Sequence, residues 1–306
     1  MKRNTTMSKK PEIVIDQSSG FCIGVRKAIE RAELSLETGT RTYCLGKIVH
    51  NPAELKRLNE EGLNFIGHEE FSKLKNETVL IRAHGEPPET FNIAKKNNLT
   101  LVDATCPIVA RLQARIRLAA EQAQKNGGQV LIYGKKDHPE VRALVGQSRN
   151  MARVVTGAMD MEDIDFSKPV ALFAQTTMDP DEFNGVIDKM QRLIQQEGKD
   201  PGQNLVVNDT ICRHVSHRKP EILKFAGTYD MILFAAGRES SNGKLLFESC
   251  CTVNPRSFFI SSINDLAGID MSGAGSIGIC GATSTPLWFL KEVEQAVKQK
   301  FDIMNE

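Results

Sequence analysis

The sequence predicts an α/β protein of three similar lobes. Each would be a small, mostly parallel sheet with flanking helices, set around a central cleft in a pseudo-threefold arrangement. Three observations predict this. Short apolar runs alternate with helix-period segments along the chain, the pattern of parallel sheets. A unit of strand, Asp-containing turn, cysteine and helix occurs three times, at Cys22, Cys106 and Cys212. Polar, chemistry-bearing residues gather in loops that follow strands, where α/β folds bind ligands.

Composition narrows the classes. The chain has 306 residues, 41% hydrophobic and 25% charged, with net charge +1. That is ordinary globular composition, enough for two or three domains of ~100–150 residues. Near-zero net charge argues against nucleic acid or an anionic membrane as partner. No run of ~18 apolar residues offers a spanning helix. Residues 1–10 are polar and basic without an apolar core, which reads as a flexible lead-in rather than a secretory signal. Seven cysteines without a CxxC pair read as reduced thiols in a cytoplasmic protein, not as a disulfide frame, zinc ribbon or thioredoxin-type site.

The first lobe is expected over 11–106. A strand at 13–15 leads through Asp16 to Cys22 and a helix carrying Val25, Ile29 and Ala32. A strand at 42–46 leads to a loop with His50, then a helix stopped at Gly62. A strand at 79–82 ends in Ala83-His84-Gly85, and 90–96 is helical. Leu101 and Val102 form a last strand before Asp103-Ala104-Thr105 and Cys106. Pro107 suits the first position of a helix, and Val109, Leu112, Ile116, Ala120 and Ala123 follow at helical spacing. Cys106 thus stands at a strand's carboxyl end and a helix N-terminus. The partial positive charge there favours the thiolate, the form that binds metal.

The second lobe, over 107–203, repeats the plan. A strand at 130–134 presents His138-Pro139-Glu140, and one at 170–173 presents Gln175-Thr176-Thr177. An amphipathic helix over 183–195 follows, and the polar connector at 196–203 is the expected boundary. In the third lobe, over 204–306, a strand at 205–207 leads through Asp209 to Cys212. A strand at 231–234 ends in a loop with Ser240, Ser241 and Asn242, and one at 277–279 in a loop with Cys280 and Ser284. The strand at 258–260 offers no chemistry, and a helix over 288–298 closes the chain.

Singly, each candidate has a plain explanation: a turn histidine, a capping threonine, a Ser-Asn-Gly turn, a first-turn glutamate. Their concentration after strands argues for a shared site. Three thiolates at three equivalent places point to one metal centre. Three without a fourth suit a 4Fe–4S cluster with one iron open, a Lewis acid able to hold a substrate oxygen. Histidines, hydroxyls and an asparagine amide are donors for phosphate oxygens. No Walker A sequence and no strand-following GxGxxG indicates a nucleotide. Glu140 is the natural proton donor. Cys44, Cys250, Cys251 and Cys280 read as small buried residues.

Nine motifs then carry a resemblance spanning 13–297: GFCIGV, VHNP, RAHG, VDATCP, HPEV, QTT, DTIC, SSNG and STP. In this order they are similar to the 4-hydroxy-3-methylbut-2-enyl diphosphate reductase (IspH/LytB) family. The resemblance implies that Cys22, Cys106 and Cys212 hold one 4Fe–4S cluster with one iron not ligated by protein. It implies that His50, His84, His138, Ser240, Ser241, Asn242 and Ser284 grip a diphosphate. Thr176 would bond the substrate's hydroxyl end, and Glu140 would supply protons. The reaction implied is reductive removal of that hydroxyl, giving isopentenyl and dimethylallyl diphosphate, with a ferredoxin or flavodoxin as electron donor. Departures from the commonest pattern fall at Arg142-Ala143-Leu144, at Val215 to Lys219, and at Leu287. They touch no cluster ligand and not the proton donor. The alternatives are an iron–sulfur regulator on the same fold and, more remotely, a transferase with one nucleophilic cysteine and a histidine base.

Overall fold

A computed structural model describes residues 10–305. The lead-in expected over 1–10 lies outside the described residues except for its last. Twelve strands are described: β1 (Glu12–Ile15), β2 (Thr42–Leu45), β3 (Asn64–Ile66), β4 (Thr78–Ile81), β5 (Thr100–Asp103), β6 (Gln129–Tyr133), β7 (Arg153–Val155), β8 (Val170–Ala174), β9 (Leu205–Asn208), β10 (Met231–Ala235), β11 (Ser257–Ile260) and β12 (Ser276–Gly281). They form three four-stranded sheets in the orders β3-β2-β4-β5, β7-β6-β8-β9 and β1-β12-β10-β11. Every pairing is parallel. The expectation of three small α/β lobes is met at the level of sheets and helices.

Inner strands are buried along their length, as in Met231–Ala235. Helices on both faces require this, so such strands read as unbroken apolar runs. Around β10 and β12, one face packs Leu233, Ile279, Phe289 and Val293. The other packs Ile232, Phe234, Leu246 and Cys280. The β6–β8 sheet likewise has Leu131 and Leu172 on one face and Val130, Ile132 and Phe173 on the other.

The lobe boundaries need correction. β1 does not begin the first sheet; it pairs with β12, Ile13 opposite Ile277. β9 does not begin the third sheet; it pairs with β8, Val206 opposite Ala171. The physical reason is one topology used three times, in which the strand before each cysteine ends a sheet rather than starting one. The polar connector is part of the crossover from β8 to β9 and contains the short helix Pro201–Asn204. It is therefore not a domain boundary.

The chain falls into two compact units. One takes the described residues up to Cys22, Val49–Arg57 and the described residues from His217; the other takes Ile23–Ile48 and Leu58–Ser216. The third sheet belongs to the first of these, and the other two sheets to the second.

Candidate active site

The sheet orders explain why the cysteines are equivalent. β1, β5 and β9 are edge strands in their sheets, and each runs into a turn and then Cys22, Cys106 or Cys212. The neighbouring strands β4, β8 and β12 run into the loops of His84, Thr176 and Ser284. The next strands in, β2, β6 and β10, run into the loops of His50, of His138 and Glu140, and of Ser240 and Asn242. In parallel sheets all these loops leave from carboxyl ends of strands.

In the larger unit Glu140 is the centre. It is 2% exposed. The backbone N–H and the hydroxyl of Thr176 donate to Oε1 and Oε2, each at 2.7 Å. Burial pushes its carboxyl above the usual 4.5, against the pull of these two hydrogen bonds. His138 caps the helix Pro139–Gln147. Its Nδ1 accepts the Glu140 N–H at 3.2 Å, so in the neutral ring the proton sits on Nε2, a donor fit for a phosphate oxygen. The His84 ring meets the His138 ring edge-on, with centroids 5.3 Å apart. Cys106 stands at the N-cap position of the helix Pro107–Asn126, and its N–H donates to the Ala83 carbonyl at 3.0 Å. The Cys212 N–H donates to the Thr176 carbonyl at 2.9 Å. Backbone bonds thus tie Cys106 to the His84 loop and Cys212 to the residue that holds Glu140.

In the smaller unit the Cys22 N–H donates to the Thr283 carbonyl at 3.0 Å. The Ser240 and Ser284 hydroxyls lie 3.2 Å apart. Ser240 Oγ also accepts the Gly243 N–H, capping the helix Ser241–Val253 at whose first position Ser241 stands. Asn242 is 5% exposed. Its Nδ2 donates to Thr283 Oγ1 at 3.1 Å, while its Oδ1 has no hydrogen-bond partner among the described residues. A buried amide oxygen without a protein partner can accept from a polar ligand or a water. Turning the amide over lets the Thr283 hydroxyl donate to Oδ1 and offers Nδ2 to an anion.

Four residues escaped the sequence reading. Gly237 admits the His50 loop: a Cβ there would stand 1.9 Å from the His50 carbonyl oxygen. Arg218, 3% exposed, donates through NH2 to Asp16 Oδ2, to Ser19 Oγ at 2.8 Å and to the Gly281 carbonyl at 3.4 Å. It ties the turn before Cys22 to the end of β12. Gln113 lies against the His84 loop, its Nε2 2.3 Å from where a Gly85 Cβ would be. Arg82 is 8% exposed and pairs with Glu86 at 3.4 Å. The visible signals were a glycine just past β10 and the departure at Val215 to Lys219 that contains Arg218; the contacts themselves needed the fold.

No disulfide joins any of the seven cysteines. Cys22, Cys106 and Cys212 are partly exposed, whereas Cys44, Cys250 and Cys280 are buried. Burial pushes the Cys44 thiol up to about 12 and Cys280 well above its usual value. Both are poor thiolate formers, hence poor ligands. Cys251, expected to be buried, is exposed; one residue further round the helix turns it away from the core that holds Cys250. Cys106 and Cys212 in one unit and Cys22 in the other each offer an accessible thiol, the ligand type that iron–sulfur clusters take.

Fold and loops define the class: an α/β enzyme whose strand ends offer thiols, hydrogen-bond donors and one buried acid. The sequence profile of the LytB protein family matches residues 13–298, and the chain belongs to that family. The family comprises oxidoreductases of isoprenoid biosynthesis and implies an iron–sulfur cluster. Among its relatives is the 4-hydroxy-3-methylbut-2-enyl diphosphate reductase of Bacteroides fragilis, 47% identical over 287 residues, covering 94% of this chain and 97% of that one. The enzyme of the same name from Chlorobium phaeobacteroides is 41% identical, covering 93% and 97%. A solved (E)-4-hydroxy-3-methyl-but-2-enyl diphosphate reductase, described as the terminal enzyme of the non-mevalonate pathway, is 31% identical with TM-score 0.70, covering 95% and 100%. A Plasmodium falciparum reductase structure, 24% identical with TM-score 0.77 over 97% and 89%, shares the fold. Among the described residues no helix is long and apolar enough to cross a membrane.

Proposed function

We propose that this chain removes the hydroxyl of 4-hydroxy-3-methylbut-2-enyl diphosphate as water, using two electrons and two protons. The products are isopentenyl and dimethylallyl diphosphate, at the last step of the non-mevalonate (methylerythritol phosphate) route. The observation that carries this reading is Glu140, a buried carboxyl that keeps its proton above the usual range and is held at both oxygens by Thr176. A hydroxyl is a poor leaving group until protonated, and a positioned acid supplies that proton.

Cys22, Cys106 and Cys212 would hold one 4Fe–4S cluster with one iron not ligated by protein; when bound, it supplies the electrons and a Lewis-acidic place for the hydroxyl. His50, His84, His138, Ser240, Ser241, Asn242 and Ser284 bind the diphosphate through N–H and O–H donors. Thr176 orients the hydroxyl end while fixing Glu140. The electrons come from a ferredoxin or flavodoxin, and the enzyme works in the cytoplasm, where thiols stay reduced.

The test is direct. Protein purified without oxygen is mixed with dithionite-reduced methyl viologen and the hydroxylated diphosphate, and the two isoprenoid diphosphates should accumulate. Iron-replete protein that binds the substrate without turning it over would instead make the chain a regulator on this fold.

A further inference from the structure

A groove lies between the helix Pro107–Asn126 and the loop after β9. Its volume is about 320 Å³, and Ile108, Arg111, Arg115, Cys212, Arg213 and His214 are among its lining residues. Arg111, Arg213 and His214 are exposed and make no ion pair among the described residues. Arg115 donates to Asn208 Oδ1 at 2.5 Å. One carboxylate, Asp209, lines the groove, and its Oδ1 already accepts the Ile211 N–H. Beside the groove, edge strand β9 exposes Val206 by 61%.

We infer that this groove is the docking surface of a small acidic one-electron carrier protein; the inference rests on the proposed reduction. The chain's net charge is only +1, yet three guanidinium groups converge here. A basic patch with an apolar margin suits a protein partner with an acidic face, through electrostatic steering and a small, short-lived interface. Cys212 lines the same groove, so a carrier seated there stands next to a proposed cluster ligand. Each reduced carrier gives up one electron and leaves oxidised. Two such visits and two protons balance the loss of the hydroxyl as water.

The test uses the intact, cluster-bearing protein and its Arg111→Glu/Arg213→Glu variant, with an acidic [2Fe–2S] ferredoxin as probe. The variant should bind the ferredoxin about tenfold more weakly or worse at low salt, and its ferredoxin-supported turnover should fall in parallel. High salt should bring wild type down toward the variant, because exposed charges are screened. Iron content and methyl viologen-supported turnover should be unchanged, since the viologen needs no docking surface. Equal ferredoxin binding by the two proteins would overturn the inference. So would loss of viologen-supported turnover in the variant alone, which would make the groove part of the reacting site. Binding of a short single-stranded RNA with the same dependence on the two arginines would make it a general polyanion surface. A wild type that is inactive with viologen would instead sink the proposed reaction.

Discussion

At Glu140 two opposed effects meet, and burial wins over the Thr176 hydrogen bonds. The folded carboxyl titrates above its unfolded value of about 4.5. Its contribution to stability is therefore complete below that value and is lost as pH rises through the folded one. Glu140→Gln carries no charge at any pH. It should match wild type in acid and gain relative stability as pH rises, which thermal melts across pH will read. The same variant should keep iron and bind substrate while kcat falls about 10²–10⁴-fold, the usual contribution of a general acid. Thr176→Val removes the hydroxyl bond that lowers this pKa, so the alkaline limb of its kcat profile should move to higher pH. A limb that stays in place would detach that limb from Glu140. Among the thiols, Cys106→Ser should lose the iron of the proposed cluster, expected at about four atoms per chain in the intact protein. Cys44→Ser, deep in the first sheet, should retain it. The types of these residues and their places after strands were legible in the chain. The Thr176–Glu140 bond was not, because it depends on β6 lying beside β8.

At the level of elements, the loops are held by contacts between segments distant in the chain. Gly237 stands two residues past β10, and only a residue without Cβ lets the His50 backbone pass so close. Gly237→Ala must push the His50 loop away, so KM for the diphosphate should rise more than kcat falls. Stability should drop by about 1–3 kcal/mol, as for other forced overpacking. The turn before Cys22 depends on a buried ion pair. Asp16→Asn leaves the buried Arg218 guanidinium with only the exposed Glu221 carboxylate, at 3.6 Å, and should cost up to about 3–5 kcal/mol, whereas the double change Asp16→Asn/Arg218→Met should recover much of it. A double variant as unstable as the single one would show that the loss comes from the turn and not from the stranded charge. Long inner strands and amphipathic helices were readable from periodicity. The three-residue strands β3 and β7 and the helix His68–Lys73 were not, because segments this short complete fewer than two periods of their own pattern.

For the whole molecule, the sequence displayed the repeat but not its phase. Strand, turn, cysteine and helix read naturally as the opening of a lobe, and that reading put β9 at the head of the last third. Pairing decides otherwise. Leu205 lies opposite Val170 and Asn208 opposite Phe173, so β9 closes the second sheet, while the sheet of the last third is completed by β1. A fragment of residues 204–306 would therefore carry a strand with no sheet to join. It would also leave β12 without its neighbour, exposing one edge of an inner strand. An unpaired strand edge invites association with other chains. The fragment would also lack Asp16, the partner of buried Arg218, and the segment Val49–Arg57 that belongs to the same compact unit. Expressed alone, it should aggregate or give the narrow amide dispersion of an unfolded chain in a two-dimensional nitrogen–proton spectrum. Well-dispersed amides from a monomeric 204–306 fragment would mean that the last third folds without β1, contrary to the observed strand order.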